Sequence, residues 1–162
     1  MHMTVRSALV GGLIFAAAAG CRSVEPSDAE LRAAFEEHRV LLDELRQVFE
    51  QDVKRNNLTS VSASSVTLTR CGDGRRGDAC LALERWREYA SRLEGCGVQA
   101  IESHETPGIY FQIYRSRFWN QSFRFRGFVY APGVPRVVHD HDDTEERVDL
   151  GNGWYSYLII DT

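Results

Sequence analysis

Residues 108–115, GIYFQIYR, and residues 122–131, SFRFRGFVYA, decide the fold class of this chain. In both segments large apolar side chains alternate with polar or tyrosine side chains, as they do in strands that pack one face against a core. We predict that the two segments form antiparallel strands joined by a turn at Asn120 and Gln121.

Further strands are predicted on both sides of this pair. Glu145–Leu150 and Trp154–Ile160 are typical of a terminal hairpin, because the turn Gly151–Gly153 tolerates positive φ angles. Upstream, the β-branched segment Ser65–Arg70 and the segment Val98–Glu102 predict two more strands. The sequence therefore predicts an antiparallel sheet of about five to six strands.

A long helix is predicted ahead of the sheet. Ser27 and Glu30 have the spacing of a capping box, and an apolar stripe with steps of three and four follows to about Val53. The stripe consists of Leu31, Phe35, His38, Leu42, Leu45 and Phe49. The polar segment Lys54–Ser65 is predicted to be a loop.

A second helix is predicted between Asp78, its expected N-cap, and Gly95. Its apolar face consists of Leu83, Trp86, Ala90 and Leu93. Helices followed by strands are typical of an α+β domain, with both helices packed on one face of the antiparallel sheet. We expect residues 27–162 to form this single domain.

The N-terminus has the pattern of an export signal. Met1–Arg6 contains one Arg, Ser7–Ala19 carries no charge, and small residues lead directly to Cys21. The uncharged run is shorter than the roughly 20 residues that cross a bilayer. The segment Ala17–Cys21 resembles the lipobox of bacterial lipoproteins, although Ala18 stands where Leu is preferred.

This resemblance implies a cellular location and a membrane anchor. Residues 1–20 would be cleaved, Cys21 would carry fatty acyl chains such as palmitate, and residues 21–26 would tether the domain to a membrane. More than one acyl chain makes such anchoring stable. In this family the next residue helps to sort the protein, and Arg22, in place of the Asp of inner-membrane retention, implies the outer membrane facing the periplasm.

Three further cysteines would lie in this oxidising compartment. Cys80 and Cys96 stand at opposite ends of the predicted second helix, too far apart for a disulfide. A Cys71–Cys80 bond would close a glycine-rich loop, whereas a Cys71–Cys96 bond would link two predicted neighbouring strands. We predict the Cys71–Cys80 bond with Cys96 as a buried thiol, and Cys71–Cys96 remains the alternative.

One side of the predicted sheet combines tyrosine and arginine, residue types that are enriched in binding surfaces. This candidate binding face consists of Tyr110, Tyr114, Arg124, Arg126, Phe128, Tyr130, Tyr155 and Tyr157. The alternative interpretation is a second buried layer beneath the long helix.

A histidine-rich cluster is the weak metal-site candidate. In an extended segment His139 and His141 would point to one side and, with Asp143, offer ligands to a divalent metal. Two histidines without a third ligand at zinc-site spacing do not specify zinc, so we predict a solvated loop between strands.

The remaining features restrict the function class. A net charge of −4 argues against a general nucleic-acid binder. The chain contains no G-x-S-x-G or H-E-x-x-H motif, and no pattern calls for a cofactor. We expect an accessory lipoprotein that binds a protein partner of the envelope, with its oligomeric state open. The alternatives are a binder of a small ligand or an anionic glycan or lipid headgroup, and a metal-dependent hydrolase at His139 and His141.

Overall fold

The computed structural model describes residues 24–103, 108–117, 122–133, 137–140 and 143–161. Over these residues the chain is an α+β domain with two α-helices and one antiparallel sheet of eight strands. The elements are α1 (Asp28–Asn56), β1 (Leu58–Ser62), β2 (Arg70–Cys71), α2 (Leu83–Gly95), β3 (Ala100–Ser103), β4 (Ile109–Arg117), β5 (Phe123–Tyr130), β6 (Val137–Asp140), β7 (Asp143–Gly151) and β8 (Trp154–Asp161). The strand order is β2-β1-β3-β4-β5-β8-β7-β6.

The predicted capping box opens α1. The Ser27 hydroxyl accepts a hydrogen bond from the Glu30 N–H at 3.3 Å, and the Glu30 carboxylate accepts one from the Ser27 N–H at 2.7 Å. These bonds satisfy two backbone donors that a helix N-terminus leaves free. The helix ends at Asn56, and its C-cap Asn57 adopts the left-handed conformation with φ of 57° and donates its N–H to the Val53 carbonyl oxygen.

The predicted stripe of α1 packs into the main core. Its leucines and phenylalanines are buried, and His38 is half-buried. The ring of Phe35 lies 5.5 Å from the rings of both Phe128 and Trp154, and Trp154 lies 5.3 Å from Phe111. Tyr89 and Leu93 of α2 belong to the same core. One face of the sheet therefore packs against the helices, and we call the opposite face the second sheet face.

The second sheet face is concave. Tyr110 on β4 donates a hydrogen bond to Glu145 on β7 at 3.2 Å, although β5 and β8 lie between these strands. In a flat sheet three strand spacings would separate the two backbones by about 14 Å. The two side chains meet because the sheet curves towards this face.

A bulge and a glycine accompany this curvature. The β4–β5 register shifts between Gln112 and Tyr114, and Gln112 pairs with Gly127. A Cβ atom on Gly127 would lie 1.9 Å from the carbonyl oxygen of Phe111. Only glycine allows this close approach of two strands, and bulges increase local twist.

Three local predictions are wrong. The sheet has eight strands within the described residues, against five to six expected, because β1 forms within the predicted loop and β6 was missed. The serines of β1 lie on the polar second sheet face, where Ser60 pairs with Glu102, so the composition of this strand resembles that of a loop. The predicted strand Ser65–Arg70 instead contains a 3₁₀ turn at Val66–Leu68, capped by the Ser65 hydroxyl through the Thr67 N–H.

The second helix also begins later than predicted. Asp78 lies in a separate 3₁₀ turn, Gly77–Ala79, and α2 starts after Ala82 without a side-chain cap. The helix ends at Gly95 as expected, and the terminal hairpin turns at Asn152, where φ is 55°. No helix in the described part of the chain is both long and apolar enough to span a bilayer.

The cysteine prediction is confirmed. Cys71 and Cys80 form a disulfide with a Cα–Cα distance of 5.7 Å, and Cys96 is a free, buried thiol. Burial raises the pKa of Cys96 to about 11, so this thiol is a poor nucleophile at neutral pH.

The contact at Gly127 makes a direct prediction about stability. Gly127→Ala should lower the free energy of unfolding in urea by at least about 3 kcal/mol, because the new methyl group meets backbone that cannot move aside. Gly95→Ala is the control: its Cβ would have 3.9 Å to Leu41, and alanine favours a helix by up to about 1 kcal/mol. Equal, small effects of both changes would contradict the close approach of β4 and β5.

Candidate functional site

The structure divides the predicted Tyr/Arg face between the two sides of the sheet. Paired residues of antiparallel strands share a face. Tyr110 pairs with Val129, and Val129 pairs with Tyr155. The second sheet face therefore holds Tyr110, Tyr155 and Tyr157. The helix-facing side holds Tyr114, Arg124, Arg126, Phe128 and Tyr130.

The expectation of one shared face is wrong for a physical reason. Alternation fixes which residues of one strand lie together, but the pairing register decides which side of the next strand joins them. The bulge after Gln112 also places Tyr114 on the side opposite to Tyr110. Phe128 is fully buried in the main core, and the Tyr130 ring packs against Trp154.

The two predicted arginines bind the N-terminal segment of the domain itself. Arg126 Nη1 donates to the Pro26 carbonyl oxygen at 2.6 Å and to Glu25 at 3.3 Å, and its Nη2 pairs with Asp28. Arg124 Nη1 donates to the other oxygen of Glu25 at 2.8 Å. We call Arg124 and Arg126 the arginine clamp. It joins the segment before α1 to the middle of the sheet.

A buried polar cluster occupies the second sheet face. Arg147 Nε pairs with Glu145 Oε1, and Arg147 Nη2 donates to the Tyr110 hydroxyl at 2.8 Å. The Arg147 side chain has no exposed area, and that of Glu145 is 8% exposed. Removing one partner of such a buried ion pair leaves the other as an uncompensated buried charge.

Burial and charge shift the pKa values in this cluster. Burial, followed by the Glu145 carboxylate, raises the pKa of Tyr110 to about 12. Burial works against the charged Arg147, but the Glu145 hydrogen bond and nearby charges outweigh it and raise its pKa. Burial, helped by Glu102 and other groups, also raises the pKa of Tyr157. Tyr110 is therefore a neutral donor and Arg147 a cation at neutral pH.

Sequence reasoning missed this cluster, although a signal was present. Glu145 and Arg147 stand two residues apart in the predicted strand Glu145–Leu150, so they share a face. They pair with Ile159 and Tyr157, both on the second sheet face. A charged pair on the same face as apolar neighbours indicates inward-facing charge.

A second polar cluster connects the helices. The buried carboxylate of Asp52 accepts hydrogen bonds from Arg85 Nε at 2.9 Å and from the Tyr89 hydroxyl at 2.8 Å. Burial and the Asp52 hydrogen bond raise the pKa of Tyr89. All polar groups in this contact serve to join α1 to α2, so we assign it a structural role.

The histidine-rich cluster lies partly outside the described residues. His139 lies in β6 and pairs with Thr144, and Asp143 begins β7, so these positions belong to strands and not to the predicted loop. His141 lies outside the described residues, as do the side chains of His139 and Asp143. Among the described side chains, no three His, Cys, Asp or Glu residues are placed to hold a metal ion.

Comparison with protein-family models, with curated proteins and with solved structures finds no match to this chain.

The Glu145–Arg147 pair predicts strong coupling between the two residues. Arg147→Met should lower the free energy of unfolding by about 3–5 kcal/mol, because it leaves a charged Glu145 buried alone. Adding Glu145→Gln should restore at least about 1 kcal/mol, since the uncharged amide needs no counterion. Urea denaturation measures both.

Glu88→Gln is the matched control for the second substitution. Glu88 is 61% exposed, so this change should alter the free energy of unfolding by no more than about 0.5 kcal/mol. A double variant less stable than Arg147→Met would show that Glu145 does not depend on Arg147.

Proposed function

We propose that this chain is a lipoprotein of the bacterial envelope, anchored by acyl chains on Cys21 in the outer membrane and facing the periplasm. Its domain acts as an accessory protein that binds an envelope protein. The lipobox-like segment supports the anchor, and the Cys71–Cys80 disulfide supports an oxidising compartment.

The arginine clamp is the observation that carries this proposal. Glu25 follows Cys21 by four residues, so their Cα atoms lie within about 14 Å even in a fully extended chain. Arg124 and Arg126 bind that same Glu25, and Arg126 is only 14% exposed. An anchor at Cys21 would therefore hold the domain close to the bilayer in one orientation, which suits a protein that presents a surface to a partner.

The second sheet face supports binding as the activity. No helix covers it among the described residues, and half-buried Phe125, Tyr155 and Ile159 pack at the edge of its small apolar cluster. Large, rigid aromatic side chains with polar ends favour protein recognition. Of the predicted face, Tyr155 is the member best placed for a partner, since Tyr110 and Tyr157 are buried.

One observation favours the second candidate function, binding of a small ligand or an anionic headgroup. Arg147 Nη1 is buried and has no hydrogen-bond partner. A buried cationic donor without an acceptor is costly, and an anionic or carbonyl oxygen would satisfy it. The hydrolase alternative at His139 and His141 has no such observation among the described residues.

The lipid anchor is tested at Cys21. In the bacterial host, Cys21→Ser should leave the protein unprocessed or move it from the membrane to the soluble fraction, because the acylated residue is lost. Cys96→Ala, which removes the buried thiol, should leave fractionation unchanged. Mass spectrometry should find an acylated Cys21 at the mature N-terminus; an unmodified Cys21 or a different N-terminus would contradict the proposal.

A further inference from the structure

Two exposed arginines lie over two aromatic rings at the end of the β4–β5 pair. The Arg115 guanidinium carbon lies 5.0 Å from the Phe123 ring centroid and 5.3 Å from that of Phe125. The Arg117 guanidinium carbon lies 5.5 Å from the Phe123 centroid. The two rings are stacked with centroids 6.0 Å apart. We call Arg115, Arg117, Phe123 and Phe125 the basic–aromatic patch.

The positive charge of this patch has no ion-pair partner among the described residues. Cation–π contact orients each guanidinium without cancelling its charge. Within the described residues neither Arg115 nor Arg117 forms an ion pair, whereas Arg124 and Arg126 on the same hairpin are bound to Glu25 and Asp28. The free cations and the half-buried phenyl rings therefore lie together on the second sheet face.

The patch lies at the end of the sheet that receives the tether. Phe123 and Phe125 alternate along β5 with Arg124 of the arginine clamp. The clamp binds Glu25 on the helix-facing side of β5, and the patch lies on the opposite side of the same strand end. Because Glu25 lies within about 14 Å of Cys21, an anchored domain brings this end of β5 close to the bilayer.

We propose that the basic–aromatic patch binds the headgroup layer of an anionic phospholipid bilayer. Arginine is attracted to the negative surface potential of such a leaflet, and aromatic rings favour the interface between water and hydrocarbon. This inference rests on the proposed lipid anchor for the orientation of the domain, and the patch itself is a property of the domain.

The negative net charge of the chain opposes binding to an anionic membrane. The chain has a net charge of −4, so its average field repels an anionic surface. Binding to such a surface therefore requires a local cluster of cations beside apolar side chains, and the binding should weaken as salt screens the charges.

The experiment uses residues 21–162 with Cys21→Ser, so that no acyl chain contributes. Binding is measured by co-sedimentation with vesicles of equal parts phosphatidylglycerol and phosphatidylcholine at 20 mM salt, and with vesicles of phosphatidylcholine alone. We expect binding to the anionic vesicles only. Arg115→Glu with Arg117→Glu should weaken it at least tenfold, because each basic residue near an anionic surface contributes roughly fivefold and both contributions are lost.

Arg76→Glu with Arg87→Glu is the matched control. Both arginines are exposed and lie near the β2–β1 edge of the sheet, Arg76 in the disulfide loop and Arg87 on α2, away from the central strands β4 and β5. This variant has the same net charge as the patch variant and should bind like the parent chain. The parent chain, the patch variant and the control variant should have the same circular dichroism spectrum and the same thermal midpoint.

Two results would overturn the inference: no binding to the anionic vesicles at low salt, or equal loss of binding in the patch and control variants. Neither result depends on Cys21. An unmodified Cys21 in cells would instead overturn the proposed anchor and leave this measurement unaffected, so the two proposals fail separately.

Discussion

The guanidinium group of Arg126 fixes the start of the domain to its sheet. It binds the carbonyl oxygen of Pro26 and the carboxylates of Glu25 and Asp28, directly beside the capping box that opens α1. Because the group is 14% exposed, solvent screens these bonds less than it screens a surface ion pair. The direction of α1, the position of the segment after Cys21 and the orientation proposed at the membrane all depend on this contact.

Next to this contact, Gly127 determines the shape of the sheet. The missing Cβ lets β4 and β5 approach beside a bulge, and the sheet curves around the second sheet face. The curvature brings Tyr110 to Glu145 across two intervening strands. The same pair of strands thus contributes the arginine clamp to one side of the sheet and Tyr110 of the buried polar cluster to the other.

Local patterns predicted much of this fold. The capping box at Ser27, the stripe of α1, the terminal hairpin and the Cys71–Cys80 bond each depend on neighbours close in sequence, where periodicity and turn chemistry are informative. Strand β1 was missed because its serines face a polar environment. The expectation that Asp78 caps α2 is wrong because Asp78 lies in a separate 3₁₀ turn that precedes the helix.

The candidate site was less accessible from the sequence, because it depends on the register between strands. Alternation grouped Arg124 with Arg126 correctly, but only the pairing of Tyr110 with Val129 shows that they lie on the opposite side from Tyr110. The contact of Tyr110 with Glu145 and Arg147 depends in addition on sheet curvature. Neither register nor curvature follows from the spacing of residues within a strand.

The central claim is that the arginine clamp couples the segment after Cys21 to the sheet. A double-mutant cycle tests it most directly, with Glu25→Gln, Arg126→Gln and both changes together, each measured by urea denaturation. The structure predicts a coupling free energy of at least about 1 kcal/mol, as expected for charged residues in one partly buried network. Additive effects, with coupling below about 0.3 kcal/mol, would contradict it.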